Sequence, residues 1–100
     1  MLNSKQRAQL RAMANPIDTI VQIGKGGITE NVINQVSGAL EVRELIKGRV
    51  LEASMLTASE AAEELCRECA AETVQTIGSR FVLYRQSKTL DKDKRIKLIK

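Results

Sequence analysis

Histidine and tryptophan are missing from this chain of 100 residues, and Phe81 and Tyr84 are its only aromatic side chains. Without histidine, no side chain has an ordinary pKa suited to general base work near neutral pH. No serine or cysteine sits in a recognisable nucleophile setting either, so the chain does not read as an enzyme. The same shortage argues against zinc. Cys66 and Cys69 form a Cys-x-x-Cys, but neither a histidine nor a third cysteine completes a four-ligand site. A thioredoxin-like pair belongs at a helix N-terminus, where the dipole lowers the thiol pKa. These two fall late in a helical pattern, on its apolar stripe, and read as small core residues. No metal, cofactor or small-molecule substrate is expected. Scarce rings also argue against a stacking platform for single-stranded bases, which needs several exposed aromatics.

Long apolar runs are lacking too, and the longest fall far below the ~20 residues needed to span a bilayer. Lys5, Arg7 and Arg11 are followed by no apolar h-region, so the N-terminal stretch does not read as a secretion signal. Two cysteines suit a reducing compartment, and the cytoplasm is the expected location. The length suits one small domain with a modest core.

What is present is unevenly distributed charge. The net charge is +4, yet the segment from Ser87 to Lys100 alone carries six Lys/Arg against Asp91 and Asp93. Between Thr57 and Thr73 stand Glu60, Glu63, Glu64, Glu68 and Glu72 against Arg67 alone. A basic side and an acidic side follow.

The stretch from Val21 to Thr29 organises the rest. An apolar run enters it, Gly24, Gly26 and Gly27 bracket Lys25, and Thr29 opens a long helical pattern. Glycine permits sharp turns with φ > 0, expected here at Gly26, and close approach of a ligand to the amides. Free N–H groups and the helix dipole attract an anion, and Lys25 adds a mobile cation. The loop lacks the Gly-Lys-Ser/Thr ending of a Walker A motif, and position 29 breaks a Gly-x-Gly-x-x-Gly fingerprint. A Gly-x-x-Gly loop clamping a nucleic-acid backbone is the better mechanical match.

Before the loop, Ser4 is placed to cap a helix running to about Ala14, stopped by Asn15-Pro16. Leu10, Met13 and Ala14 form its stripe, and Arg7 and Arg11 lie one turn apart at its edge. Thr19 to Ile23 reads as a strand. After the loop, Val32, Ile33, Val36 and Leu40 mark a helix over Glu30 to Arg43. Glu44 to Leu51 reads as a second strand, with Lys47 and Arg49 on one face. Gly48 within it signals a bulge or a close backbone approach. Thr57 and Glu60 make a capping box for a third helix running to about Glu72, with Ala62, Leu65, Cys66, Cys69 and Ala70 as its inner stripe. Thr73 to Ile77 and Arg80 to Gln86 are strands around Gly78-Ser79, a two-residue type II′ turn.

The order α-β-α-β-α-β-β makes this an α/β chain (an α+β sandwich), with a mixed four-stranded sheet and its helices packed on one face. Gln22, Lys47, Arg49, Gln75 and Tyr84 are the candidates for the opposite, open face. Residues 1–86 form the domain, and 87–100 a basic tail that reads as an extended or conditionally helical arm.

Several of these residues resemble a known family as an ordered set. Lys5-Gln6-Arg7 with Leu10-Arg11, the run from Val21 to Glu30, Glu44 to Lys47, Gln75 to Gly78 and Val82 to Arg85 closely resemble the bacterial YhbY proteins. These are the stand-alone form of the CRM RNA-binding domain, and the likeness covers about residues 2–86. It implies a sheet-and-helix fold similar to the C-terminal domain of translation initiation factor three. It further implies association with precursors of the large (50S) ribosomal subunit and a role in ribosome assembly; plant organellar relatives bind group II introns. By position, the family would place Gly24, Lys25, Gly26, Gly27, Lys5, Arg7, Arg11, Lys47 and Arg85 on RNA. Arg49, beside Lys47 on the same face, joins them on charge. Gly48 departs from the family, which usually has a β-branched residue there. The expected partner is ribosomal RNA in a pre-50S particle, bound by a monomer. The rival reading is a protein-interaction module that presents the acidic third helix to a basic assembly factor.

Overall fold

The computed structural model describes residues 1–100. Its elements run α1 (Ser4–Ala14), β1 (Thr19–Ile23), α2 (Glu30–Arg43), β2 (Leu45–Val50), α3 (Ala58–Cys69), β3 (Glu72–Ile77) and β4 (Arg80–Tyr84), with short 3₁₀ turns at Glu52–Ser54 and Lys92–Lys94. The sheet order is β1-β2-β4-β3. β1 pairs parallel to β2, and the other two pairings are antiparallel, so the sheet is mixed as expected.

Local signals explain the boundaries. Thr29 caps α2 by accepting from the Val32 amide, and Thr57 and Glu60 close the capping box of α3. The cap of α1 is Asn3 rather than Ser4. Its side chain accepts from the Gln6 amide at 2.8 Å, while Gln6 Oε1 accepts from the Asn3 amide. The third helix stops at Cys69, three residues short of the expected end, because Ala70 turns left-handed at φ 54. Gly78 has φ 57 and Ile77 lies opposite Arg80, the geometry of the two-residue hairpin.

The three helices do not share one face. Ile46, Val50, Phe81 and Leu83 pack with residues of α2 and α3 in a core of 13 buried side chains. Leu45, Val74, Val82 and Tyr84 look the other way and pack under Leu2, Leu10 and Ala14, in a second core of seven. The reason is the composition of the two central strands. β2 opens with Leu45-Ile46 and β4 reads Phe81-Val82-Leu83-Tyr84, apolar on both sides, and each side needs a cover. An isolated helix of α1's length is marginal in water, so its persistence rests on seating Leu10 and Ala14, both 2% exposed or less.

The tail is not an arm. Residues beyond Tyr84 fold back and extend the α1 cover. Glu44, fully buried at the junction of α2 and β2 with φ 66, accepts the Ser87 and Ile96 amides on its two carboxylate oxygens, each at 2.6 Å. Gln9 bonds the Lys97 carbonyl and the Ile99 amide, and Gln6 bonds the Ile99 carbonyl. Ile96 and Leu98 then pack onto the second core. Tyr84, a candidate for the open face, is sealed beneath this layer at 6% exposure. No helix is long and apolar enough to cross a membrane.

Candidate nucleic-acid interface

The glycine loop leaves the end of β1 at the edge of the sheet. The Gly27 amide donates to the Gly24 carbonyl at 2.9 Å and closes a tight turn, while the Lys25 and Gly26 amides donate to no group of the chain. Gly27, not Gly26, carries the positive φ, at 69°. A Cβ on Gly26 would come no nearer than 3.7 Å to the Thr29 methyl. Gly27 therefore shapes the turn, and Gly26 leaves the tip open for a close approach. Lys25 and Gly26 are exposed, and Thr29 starts α2 directly behind them. Two free amides, a helix N-terminus and a cation are thus gathered in one short exposed stretch.

Beside the loop, one half of the α1-side sheet face stays uncovered. Cα partners align Gln22 with Arg49, Arg49 with Arg80, and Arg80 with Ile77 across all four strands. Lys47 lies one step further along the same face. The chain holds two ion pairs, the N-terminus with Glu72 and Arg85 with Glu41, and neither touches Lys25, Lys47, Arg49 or Arg80. Like charges directly opposite on neighbouring strands are destabilising. Arg49 and Arg80 are such a pair with no acidic partner, a local cost that an anion would offset.

The other basic residues divide. Arg7 and Arg11 lie on the flank of α1 opposite Gln6 and Gln9, the flank the tail leaves free. Lys5 is about 160° around the helix from Leu10 and Ala14, at 100° per residue, and projects outward, apart from the others. Arg85 is withdrawn altogether. Its guanidinium donates to the Ser37 hydroxyl and carbonyl, the Cys69 carbonyl and Glu41. It fastens α2 to α3 on the far side of the sheet and is structural.

Arg80 was not among the sequence candidates. Its signal was legible: it is the first residue after the Gly78-Ser79 turn, and a two-residue hairpin next to β2 sets it against Arg49. Gly48 resolves in favour of close approach. A Cβ there would lie 2.3–2.9 Å from the Phe81 ring, so glycine makes room for the largest buried side chain. The bulges fall in β1 and β3 instead.

The cysteines are free and packed. Cys69 Sγ contacts the Ile33 carbonyl and Cys66 Sγ the Thr73 hydroxyl, and burial pushes both thiols up from their ordinary value. No cluster of three His, Cys, Asp or Glu side chains could hold a metal ion.

Residues 2–85 match the family model described as the CRS1 / YhbY (CRM) domain. The chain is 44% identical over 88 residues to a Bacillus subtilis protein named "Probable RNA-binding protein YqeI", covering 88% of this chain and 92% of that one. It is 38% identical over 86 residues to a Haemophilus influenzae protein named "RNA-binding protein", covering 86% and 87%. Among solved structures it is similar to the solution structure of the hypothetical protein SAV1595 from Staphylococcus aureus, with a TM-score of 0.71 at 43% identity over 99% of this chain and 100% of that one.

Proposed function

The chain belongs to the CRS1 / YhbY (CRM) domain family, and from that footing we propose that it is a non-catalytic RNA-binding protein that grips phosphates with the Gly24–Gly27 loop and the adjoining sheet face. The observation that carries the reading is the unneutralised Arg49–Arg80 pair with Lys47, set beside a loop whose two tip amides are free. Arg7 and Arg11 extend the surface along α1. Such a site reads backbone shape and charge rather than a row of stacked bases, since Phe81 and Tyr84 are both buried. That favours structured RNA. The names of the relatives support RNA as the class of partner. The resemblance to the YhbY proteins supports ribosomal RNA in precursors of the large subunit as the proposed target, with the cytoplasm as the proposed place of binding.

Binding should weaken with salt along a log K against log[salt] slope of roughly −3 to −5, from about −0.7 to −0.9 per phosphate contact over a handful of contacts. The decisive variant is the double substitution Lys25→Asp with Gly26→Asp. Gly26 has an ordinary φ, and a Cβ there would make only an ordinary contact with Thr29, so the variant should fold like the parent by circular dichroism. It should lose at least a hundredfold in affinity for ribosomal RNA, as reversing charge-assisted contacts costs about 3 kcal/mol or more. A folded double aspartate that binds like the parent would sink the loop as the grip. Crosslinking in cells with sequencing of the attached RNA tests the ribosomal target. Crosslinks to protein alone would instead favour the exposed glutamates of α3 as a docking face.

A further inference from the structure

Between the C-terminal end of α1 and the β3–β4 hairpin lies a cleft of about 170 Å³. The exposed Ile77 and the nearly fully buried Ala14 and Val82 are its apolar lining, and Asn15, Gln75, Lys47 and Arg80 its polar lining. Cofactor pockets usually exceed ~300 Å³, so this one suits a single planar group. Its polar side chains are uncommitted. The side-chain amides of Gln75, half-buried, and Asn15, exposed, make no bond within the chain, like those of the exposed Gln22, Asn31, Asn34 and Gln86. Lys47 has only a long 3.5 Å bond to the Asn15 carbonyl.

Gln75 reaches the cleft because of a backbone irregularity. Thr73 lies opposite Leu83 and Gln75 opposite Val82, which leaves Val74 as an extra residue in β3. In a regular strand, Val74 and Gln75 would face opposite sides. The bulge turns both to the α1 side, Val74 into the core and Gln75 into the cleft. Bulges commonly re-aim one side chain in this way.

We infer that this cleft receives one unpaired nucleotide of the bound RNA. The base lies against Ile77, above Ala14 and Val82, with its edge against the Gln75 and Asn15 amides, and its phosphate meets Lys47 and Arg80. The inference rests on the RNA-binding reading above and adds to it a preference for a flipped-out base. An amide offers a donor and an acceptor together, so a base edge can engage both, whereas a phosphate would engage the donor alone.

Two measurements test it on the full chain. In the first, the protein is titrated with an RNA hairpin carrying an unpaired loop and with a fully paired duplex of equal phosphate count. The parent should prefer the hairpin about tenfold. Gln75→Ala, a half-exposed residue with no internal bond to lose, should bring that ratio close to one while leaving duplex affinity unchanged. Equal hairpin-to-duplex ratios in parent and Gln75→Ala would overturn the inference. In that case the loop's double aspartate variant still reports separately on the phosphate grip, because it should weaken both RNAs alike. The second measurement follows the Gln75 and Asn15 side-chain amide signals by NMR. The unpaired hairpin should shift them and the duplex should not. Shifts produced by free nucleoside monophosphates but not by the hairpin would assign the cleft to a free nucleotide and refute the RNA source.

Discussion

Replacing Gly48 by alanine probes the contact on which the two central strands depend. Gly48 and Phe81 are Cα partners on β2 and β4, and the far end of the wholly buried ring lies against the glycine. An added Cβ would meet ring atoms Cζ, Cε1 and Cε2 at 2.3, 2.5 and 2.9 Å. Restoring an ordinary contact requires the ring to move by about 1 Å into a core packed like a crystal. Side chains of β1, α2 and α3 share that core with it. Overpacking of this kind costs about 1–3 kcal/mol, and removing a strand glycine returns about 0.5–1 kcal/mol, so a net loss of about 1–2 kcal/mol is expected. Phe81→Leu alone should also destabilise, by emptying part of the space. Combined with Gly48→Ala it should recover stability, because the methyl occupies what the ring vacated. Urea unfolding of the four proteins gives the coupling directly, with an expected value of about 1–2 kcal/mol in favour of the double variant. Additive losses would refute the close-approach account. RNA affinity of the double variant should match the parent, since Lys47 and Arg49 point to the other face.

Removing residues 87–100 should destabilise the domain by about 2 kcal/mol or more, since Ile96 and Leu98 leave the second core and Glu44 loses both amides; an unchanged urea midpoint would return the tail to the status of a free arm. Glu41 gives an acid-range signature. The Lys88 amide first, then the Ser87 hydroxyl and Thr89, donate to its carboxylate and hold it down to about 2 from the ordinary 4.5. An unfolded carboxyl takes up its proton before the folded one, so this stabilisation is complete above pH 4.5 and disappears as pH falls toward 2. Glu41→Gln should flatten that limb of the stability profile measured by denaturant midpoint, and an identical profile in the variant would discount the network.

The sequence by itself determined the elements and the loop. β1 and α2 run over the residues expected from a β-branched run and from apolar spacing capped by Thr29, and the Gly78-Ser79 turn fell where the dipeptide put it. These are local properties, set by sterics and hydrogen bonds within a few residues. Phe81 to Tyr84 is apolar on both sides of β4, and Tyr84 was expected on an open face, yet nothing local says what covers the second side. Only the tertiary structure assigned α1 and the tail to it, because the covering residues Leu10 and Leu98 are far apart in sequence and neither forms a full stripe. The same distance hid the role of Glu44, whose partners lie 43 and 52 residues away. It also decided between cations that look alike on paper. Arg85 is spent on carbonyls of two helices, while Arg80 is left bare beside Arg49 because strand pairing, not composition, brings those two together.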